Sequence, residues 1–342
     1  MDFLEAVMQV ATDVAEVSAK QSKKFYVIGK LKFEIIEKQN IVKNLQKQIG
    51  REAYEAYMTD SDIVATIENK LKKIQLLEDK IDVLKKKIEQ VKTEEDEINL
   101  DEIDFDETED EFYEDIDSYE EDETKHYPVL YMFDGQNVFL DEDASYGKSW
   151  GMAEYLSWTE KEVIVVGVEC NTRGNGRLRE YTPVDFKDAK YGSVRSQGQR
   201  YMHWLVKKLK PSIDANFRTL PDRENTFIAG SSMGGLMAVY AAAAYHNVFS
   251  RAACLSPSLW VEPEKVRRLV ARSHVGRDTV MYMDYGSEEL ANHEGMMGNL
   301  TAMAGLLLSK GVNLTFRIVR DGDHSEASWE RQVPVFMECL GI

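Results

Sequence analysis

The sequence predicts an α/β fold, a mostly parallel sheet wrapped by helices, preceded by an α-helical coiled-coil segment and an acidic, disordered linker. Three observations predict it. Apolar, strand-like runs alternate with helical stretches through the last two thirds of the chain. Isoleucines recur every seven residues within the first hundred. Between the two lies a dense acidic run without a basic residue. The organisation read from these is a helical module over 1–93, a linker over 94–125 and a globular domain over 126–342.

In the helical module Ile67, Ile74, Ile81 and Ile88 are spaced by seven, with Leu77, Leu84 and Val91 three residues later and Lys70 in the remaining place. β-Branched residues at one seam position and leucine mainly at the other favour a parallel two-stranded coiled coil. An earlier stretch repeats the spacing at Leu31, Ile35, Val42, Leu45 and Ile49, interrupted by Lys38, and Tyr54 to Ser61 is long enough to turn between them. A homodimer through residues 60–92 and an antiparallel hairpin within one chain both satisfy this pattern. Tyr54, Tyr57 and Met58 read as packing residues of the turn.

Residues 94–123 hold 19 acidic side chains and no Lys or Arg, in a chain of net charge −18, so the rest sums to about +1. The acidity therefore belongs to the linker. Like charges at this density keep a segment extended. Asp101, Asp104 and Asp106 lack the bend glycine and the closing glutamate of a calcium loop, so no metal is expected there.

The globular part is long enough for one large core. Pro128 to Phe133 reads as a buried strand ending in Asp134-Gly135-Gln136-Asn137, Val163 to Val168 as a second, and Gln199 to Leu209 as an amphipathic helix before Pro211. The most informative run starts at Thr226 and stops at Gly230-Ser231-Ser232-Met233-Gly234. Glycines two before and two after a serine suit a sharp strand-to-helix turn that lifts the Ser232 hydroxyl clear of the sheet. Leu236 to Tyr245, rich in alanine and leucine, supplies the buried helix such an elbow needs.

A nucleophilic serine needs a base, and the base an orienting acid. His324 follows the strand-like Leu314 to Val319 in the glycine-bearing loop Arg320-Asp-Gly-Asp-His-Ser325, where an imidazole can return to the serine. His293 reads as a solvated or capping residue, His246 as a helix C-terminal residue and His274 as part of a basic loop. The acid is sought after the strand Asp278 to Asp284, in Tyr285-Gly286-Ser287-Glu288-Glu289. Spacing favours Glu289 over Glu288, although both also suit a first helical turn. Asp284 itself is committed to one sheet face. Oxyanion donors are expected from the Met233 N–H and from Gln136, or failing that Gly135, at the turn after the first strand.

These stretches carry a resemblance. Tyr127 to Phe139, Arg179-Glu-Tyr-Thr-Pro183, Asn216 to Leu220, Ala229 to Gly235 and Leu255-Ser-Pro-Ser-Leu-Trp260 resemble, in order over residues 127–342, the esterase D and enterochelin-esterase-like family of α/β-hydrolases. That family includes feruloyl and acetyl esterases acting on plant polysaccharides. The resemblance implies Ser232 as nucleophile, His324 as base, an acid at Gly286-Ser-Glu-Glu289, and Arg179, Glu180, Tyr181 and Trp260 near the substrate cleft. Two departures stand out. Phe133 occupies a position where many members have histidine. The stretch before Pro128 is too acidic for the two or more strands the family places there, so the sheet is expected to lack its usual first edge strands. The helical module faintly resembles small helical proteins of Gram-positive bacteria, which implies no function.

Cys170, Cys254 and Cys339 are odd in number, widely spread and read as free thiols. No Cys/His cluster has metal-ligand spacing, and no cofactor is expected. The N-terminus is acidic where a secretion signal is basic, no apolar run reaches membrane-spanning length, and no basic stripe suggests nucleic acid. A cytoplasmic protein acting on a small-molecule ester is expected. The function anticipated is a serine carboxylic-ester hydrolase for small acyl esters, carbohydrate-linked acetyl or aryl esters among them. Acyl transfer or thioester hydrolysis would use the same residues. The alternative is a hydrolase-fold scaffold or binding protein without catalysis, assembled through the coiled coil.

Overall fold

The computed structural model describes residues 124–342 except residue 160, residues 64–93, and a subset of residues 31–56. The acidic run at 94–123, with Asp101, Asp104 and Asp106, and the turn residues Tyr54, Tyr57 and Met58 lie outside the described residues. The chain divides into two compact units, Met1–Glu121 and Asp122–Ile342.

In the first unit Val64–Thr93 forms a 30-residue helix, α1. Ile81, Leu84, Ile88 and Val91 are buried against Leu31 and Ile35, and Ile74 and Leu77 against Val42 and Leu45. Early residues of one stretch meet late residues of the other, which is antiparallel packing within the chain. Two charged residues that interrupt the apolar pattern are paired: Lys70 Nζ lies 2.9 Å from Glu52 Oε1, and buried Lys38 lies 3.4 Å from Glu34 one turn earlier. Among the described residues, these contacts bury the seam positions Ile74, Leu77, Ile81, Leu84, Ile88 and Val91.

Among the described residues of the second unit eight strands form: β1 (Val129–Phe133), β2 (Ile164–Val168), β3 (Phe186–Asp188), β4 (Gly192–Val194), β5 (Thr226–Ser231), β6 (Arg251–Leu255), β7 (Val280–Gly286) and β8 (Asn313–Val319). Six make one sheet in the order β2-β1-β5-β6-β7-β8, with every neighbouring pair parallel. Strands β3 and β4 form a separate antiparallel pair. No strand among the described residues precedes β1, and the stretch 94–123, where the family places its first edge strands, lies outside them.

The continuous apolar runs follow from burial on both faces. Val129, Tyr131 and Phe133 of β1 enter one core cluster and Leu130 and Met132 the other. The helices are α2 (Met152–Thr159), α3 (Gly176–Glu180), α4 (Gly198–Trp204), α5 (Lys210–Asn216), α6 (Met233–Ala244), α7 (Pro263–Arg272), α8 (Met296–Ser309), α9 (Glu326–Glu330) and α10 (Val333–Leu340). The helix expected before Pro211 runs through it: a π-helical turn, Leu205–Leu209, joins α4 to α5, and Pro211 follows that turn directly as the second residue of α5. Cys170, Cys254 and Cys339 are free thiols. No helix among the described residues is long and apolar enough to cross a membrane, and no group of three metal-ligating side chains occurs among them.

Candidate active site

The C-terminal edge of a parallel sheet is where loops from several strands converge. Strand β5 ends at Ser231 and α6 begins at Met233. Between them Ser232 holds φ 57° and ψ −121°, a conformation that side chains rarely adopt and that costs on the order of 1–3 kcal/mol. The turn is held on both sides: Ser232 N–H donates to the Leu255 carbonyl at 2.9 Å, and Ser258 N–H donates to the Ser232 carbonyl at 2.9 Å. Glycine at 230 is required by contact, since a Cβ there would sit 2.7 Å from the carbonyl carbon of Gly234.

His324, on the loop between β8 and α9, brings Nε2 to 2.9 Å from Ser232 Oγ. Its Nδ1 makes a short hydrogen bond to Glu289 Oε2. A carboxylate only accepts, which assigns the Nδ1–H tautomer and leaves Nε2 to accept from the serine hydroxyl. Glu289 is 1% exposed and Glu288 faces solvent. The two readings of Glu289 coincide: Oε1 accepts the Gly286 N–H at 2.8 Å, capping its own short turn, while Oε2 serves His324.

Behind this trio lies a buried polar layer that sequence reasoning missed. Ser256 Oγ is 2.5 Å from Glu289 Oε1 and accepts the Trp329 indole N–H at 3.0 Å. Asp284 accepts from the Tyr282 hydroxyl at 2.7 Å and from Ser256 N–H at 3.2 Å. Burial pushes the Asp284 carboxyl up to about 6, with the nearby Glu289 charge adding to it against those two hydrogen bonds.

An acid raised in the folded state binds its proton more tightly there than in the unfolded chain, so this contribution to stability is present at low pH and lost as pH rises from about 4 to about 6. Asp284→Asn is therefore expected to exceed wild type in stability at pH 7.5 by on the order of 2–3 kcal/mol, with the gap closing toward pH 4. Urea unfolding across that range checks this; a gap independent of pH would contradict it.

The expected oxyanion loop follows β1. Asp134 adopts a left-handed conformation (φ 57°, ψ 50°), its N–H donates to the Tyr181 hydroxyl at 2.9 Å, and Arg177 grips its carboxylate twice, at 2.7 and 2.8 Å. Gly135 packs so closely on β2 that a Cβ would lie 2.4 Å from the Gly167 carbonyl carbon. Gly135 and Gln136 open a 3-10 turn whose first bond is Asn137 N–H to the Asp134 carbonyl, at 2.8 Å. Met233 opens α6, where helix N–H groups lack intrahelical acceptors. Loop and elbow abut, since a Cβ on Gly234 would meet Phe133 Cβ at 3.0 Å and Asp134 Oδ2 at 3.3 Å. Asn137 also ties the loop to the histidine segment, donating from Nδ2 to buried Glu326 Oε1 at 3.2 Å. Burial raises the Glu326 carboxyl; burial also raises the Cys170 thiol, which donates to Asp134 Oδ1 at 3.4 Å, to about 12, which keeps that sulfur protonated.

The remaining expected cleft residues divide. Trp260 is half-buried, stacked on His293 at 4.6 Å between ring centroids and 10° between planes, on the loop whose Ser258 holds the elbow. His293, expected as a solvated or capping residue, is thus an aromatic packing partner. Burial and the charge of nearby His324 lower its affinity for a proton. Tyr181 is fully buried, and its hydroxyl bridges the ends of β1 and β2, accepting the Asp134 N–H at 2.9 Å and reaching the Val168 carbonyl at 3.3 Å. Glu180 is spent on the Asn171 N–H at 2.7 Å and Arg179 points to solvent. Arg177, two residues earlier in α3, is the arginine that reaches the site, because positions two apart on a helix face different ways. His246 and His274 pack against each other, with ring centroids 5.9 Å apart.

A parallel sheet with a strained serine at a strand-to-helix turn, hydrogen-bonded to a histidine backed by a buried glutamate, is the architecture of an α/β-hydrolase. The chain belongs to the family described as putative esterase, whose model matches residues 117–336, more than half of the chain. Among curated proteins it is similar to the uncharacterized protein YbbA of Bacillus subtilis (strain 168), at 24% identity over 166 residues, 48% of this chain and 62% of that protein. The chain therefore spans about three fifths of the length of that curated relative. Solved structures similar to it include the enterobactin and salmochelin hydrolase IroE (22% identity, 64% of this chain and 83% of that one, TM-score 0.46). Others are the BES protein from Bacillus cereus (19%, 63% and 84%, TM-score 0.49) and the siderophore hydrolase EstA from Aspergillus nidulans (15%, 64% and 85%, TM-score 0.48).

Proposed function

We propose that this chain is a serine carboxylic-ester hydrolase acting through an acyl-enzyme on small acyl esters, carbohydrate-linked acetyl or aryl esters included. The observation that carries the reading is the 2.9 Å contact between Ser232 Oγ and His324 Nε2, with the opposite ring nitrogen on buried Glu289. Ser232 Oγ attacks the ester carbonyl carbon as its proton passes to His324 Nε2. Glu289 remains a carboxylate and stabilises the imidazolium. The Met233 N–H, with that of Gln136 or Gly135, donates to the developing oxyanion. His324 returns the proton to the departing alcohol, the carbon–oxygen bond breaks, and the acyl group is left on Ser232. Water then repeats the attack with His324 as base, releasing the carboxylic acid and the serine. Family membership supports ester chemistry. The test is turnover of p-nitrophenyl acetate by the full chain, with an initial burst of nitrophenol equal to the enzyme present; a folded chain that turns over no short-chain ester would contradict the reading.

A further inference from the structure

We propose that Ser256 is a positioning residue for the Glu289–His324 pair, holding the carboxylate through a one-way hydrogen-bond relay that starts at Trp329. This rests on the serine-hydrolase reading and deepens it.

The direction of the relay follows from donor chemistry. An indole N–H only donates, so Ser256 Oγ accepts from Trp329 Nε1, at 3.0 Å. The hydroxyl has a single hydrogen, and the Glu289 carboxylate only accepts, so that hydrogen goes to Oε1 at 2.5 Å. A donor whose own oxygen accepts a hydrogen bond is polarised and donates more strongly. Oε1 also takes the Gly286 N–H at 2.8 Å, which leaves Oε2 for His324. Both oxygens of a fully buried carboxylate are therefore fixed, and with them its orientation toward the ring.

Trp329 works on both partners. Its N–H anchors Ser256, while its ring stands against the His324 imidazole at 5.0 Å and 84°, edge to face. The backbone at Ser256 is a second observation. It holds φ 40°, a conformation glycine adopts freely and other residues rarely do, and its N–H is pinned to Asp284 at 3.1 Å (carbonyl) and 3.2 Å (carboxylate). Strain at this point marks a residue whose side chain has work to do. Glycine would relieve the backbone and lose the relay.

That conflict supplies the test. In the full chain, Ser256→Gly and Ser256→Ala are both expected to lower kcat for a short-chain aryl ester roughly 10- to 100-fold, with KM within about twofold of wild type. Their stabilities are expected to part: the glycine variant unfolds at the same or a higher urea concentration than the alanine variant. Trp329→Phe keeps the ring beside His324 and removes the N–H, and a smaller loss in kcat is expected. In a Glu289→Gln background, Ser256→Gly is expected to cost no further activity, because the hydroxyl acts through the carboxylate. A kcat for Ser256→Gly within twofold of wild type, or the same fold loss with and without Glu289, would overturn the proposal while Ser232 remained the nucleophile. If Ser232→Ala turns over like wild type, the serine reading itself has failed and the relay has nothing to position.

Discussion

Ser232→Ala is expected to lower kcat for ester hydrolysis by about 10⁶-fold, because nucleophile and base act as a unit and losing one removes nearly all that the set provides. His324→Ala is expected to fall by a similar factor for the same reason. Steady-state rates with p-nitrophenyl acetate check both. Stability adds a second readout. At φ 57° and ψ −121° any residue with a Cβ is strained, so Ser232→Gly should lose activity equally and yet gain on the order of 1–3 kcal/mol in urea unfolding. A catalytic role and a merely structural one thus predict opposite pairings of activity and stability at this position.

Glu289→Gln is expected to lower kcat by about 10⁴-fold with little change in KM. The argument is one of tautomers. Gly286 N–H and Ser256 O–H both donate to Oε1, so a glutamine sets its carbonyl oxygen there and turns its NH₂ toward His324. Nδ1 must then accept, Nε2 carries the hydrogen, and the ring has no lone pair for the Ser232 proton. Glu288→Gln is the control, since Glu288 faces solvent, and its rate should match wild type. Equal rates for Glu288→Gln and Glu289→Gln would contradict the assignment of the acid.

Much of this site was legible in the sequence because its pieces are locally encoded. The glycine spacing around Ser232, the apolar strand before it and the alanine-rich helix after it sit in one run of twenty residues, 226–245. His324 and Glu289 each follow a strand whose apolar pattern marks its C-terminal end, and a parallel sheet brings such ends to one edge. Spacing and the family resemblance favour Glu289 over Glu288, and in the fold Glu289 caps the short turn with one carboxylate oxygen and meets His324 with the other, while Glu288 faces solvent.

What stayed hidden is non-local or turns on which way a side chain faces. Nothing near Ser256 or Trp329 shows that residues 73 positions apart share a hydrogen bond. Arg177 and Arg179 are indistinguishable in the sequence until α3 turns one toward Asp134 and the other to solvent. Tyr181 carries a polar tip that suits a cleft, yet its ring fills the core and its hydroxyl ties two strand ends. The heptads admitted both a dimer and a hairpin, because seam residues specify what they bury and leave open whether the partner is the same chain.

The most direct measurement is reaction of the full chain with a fluorophosphonate, followed by mass mapping of the modified peptide. An adduct on Ser232, lost in His324→Ala, is the result this account predicts. A folded chain that stays unlabelled, or that carries the adduct elsewhere, would contradict it.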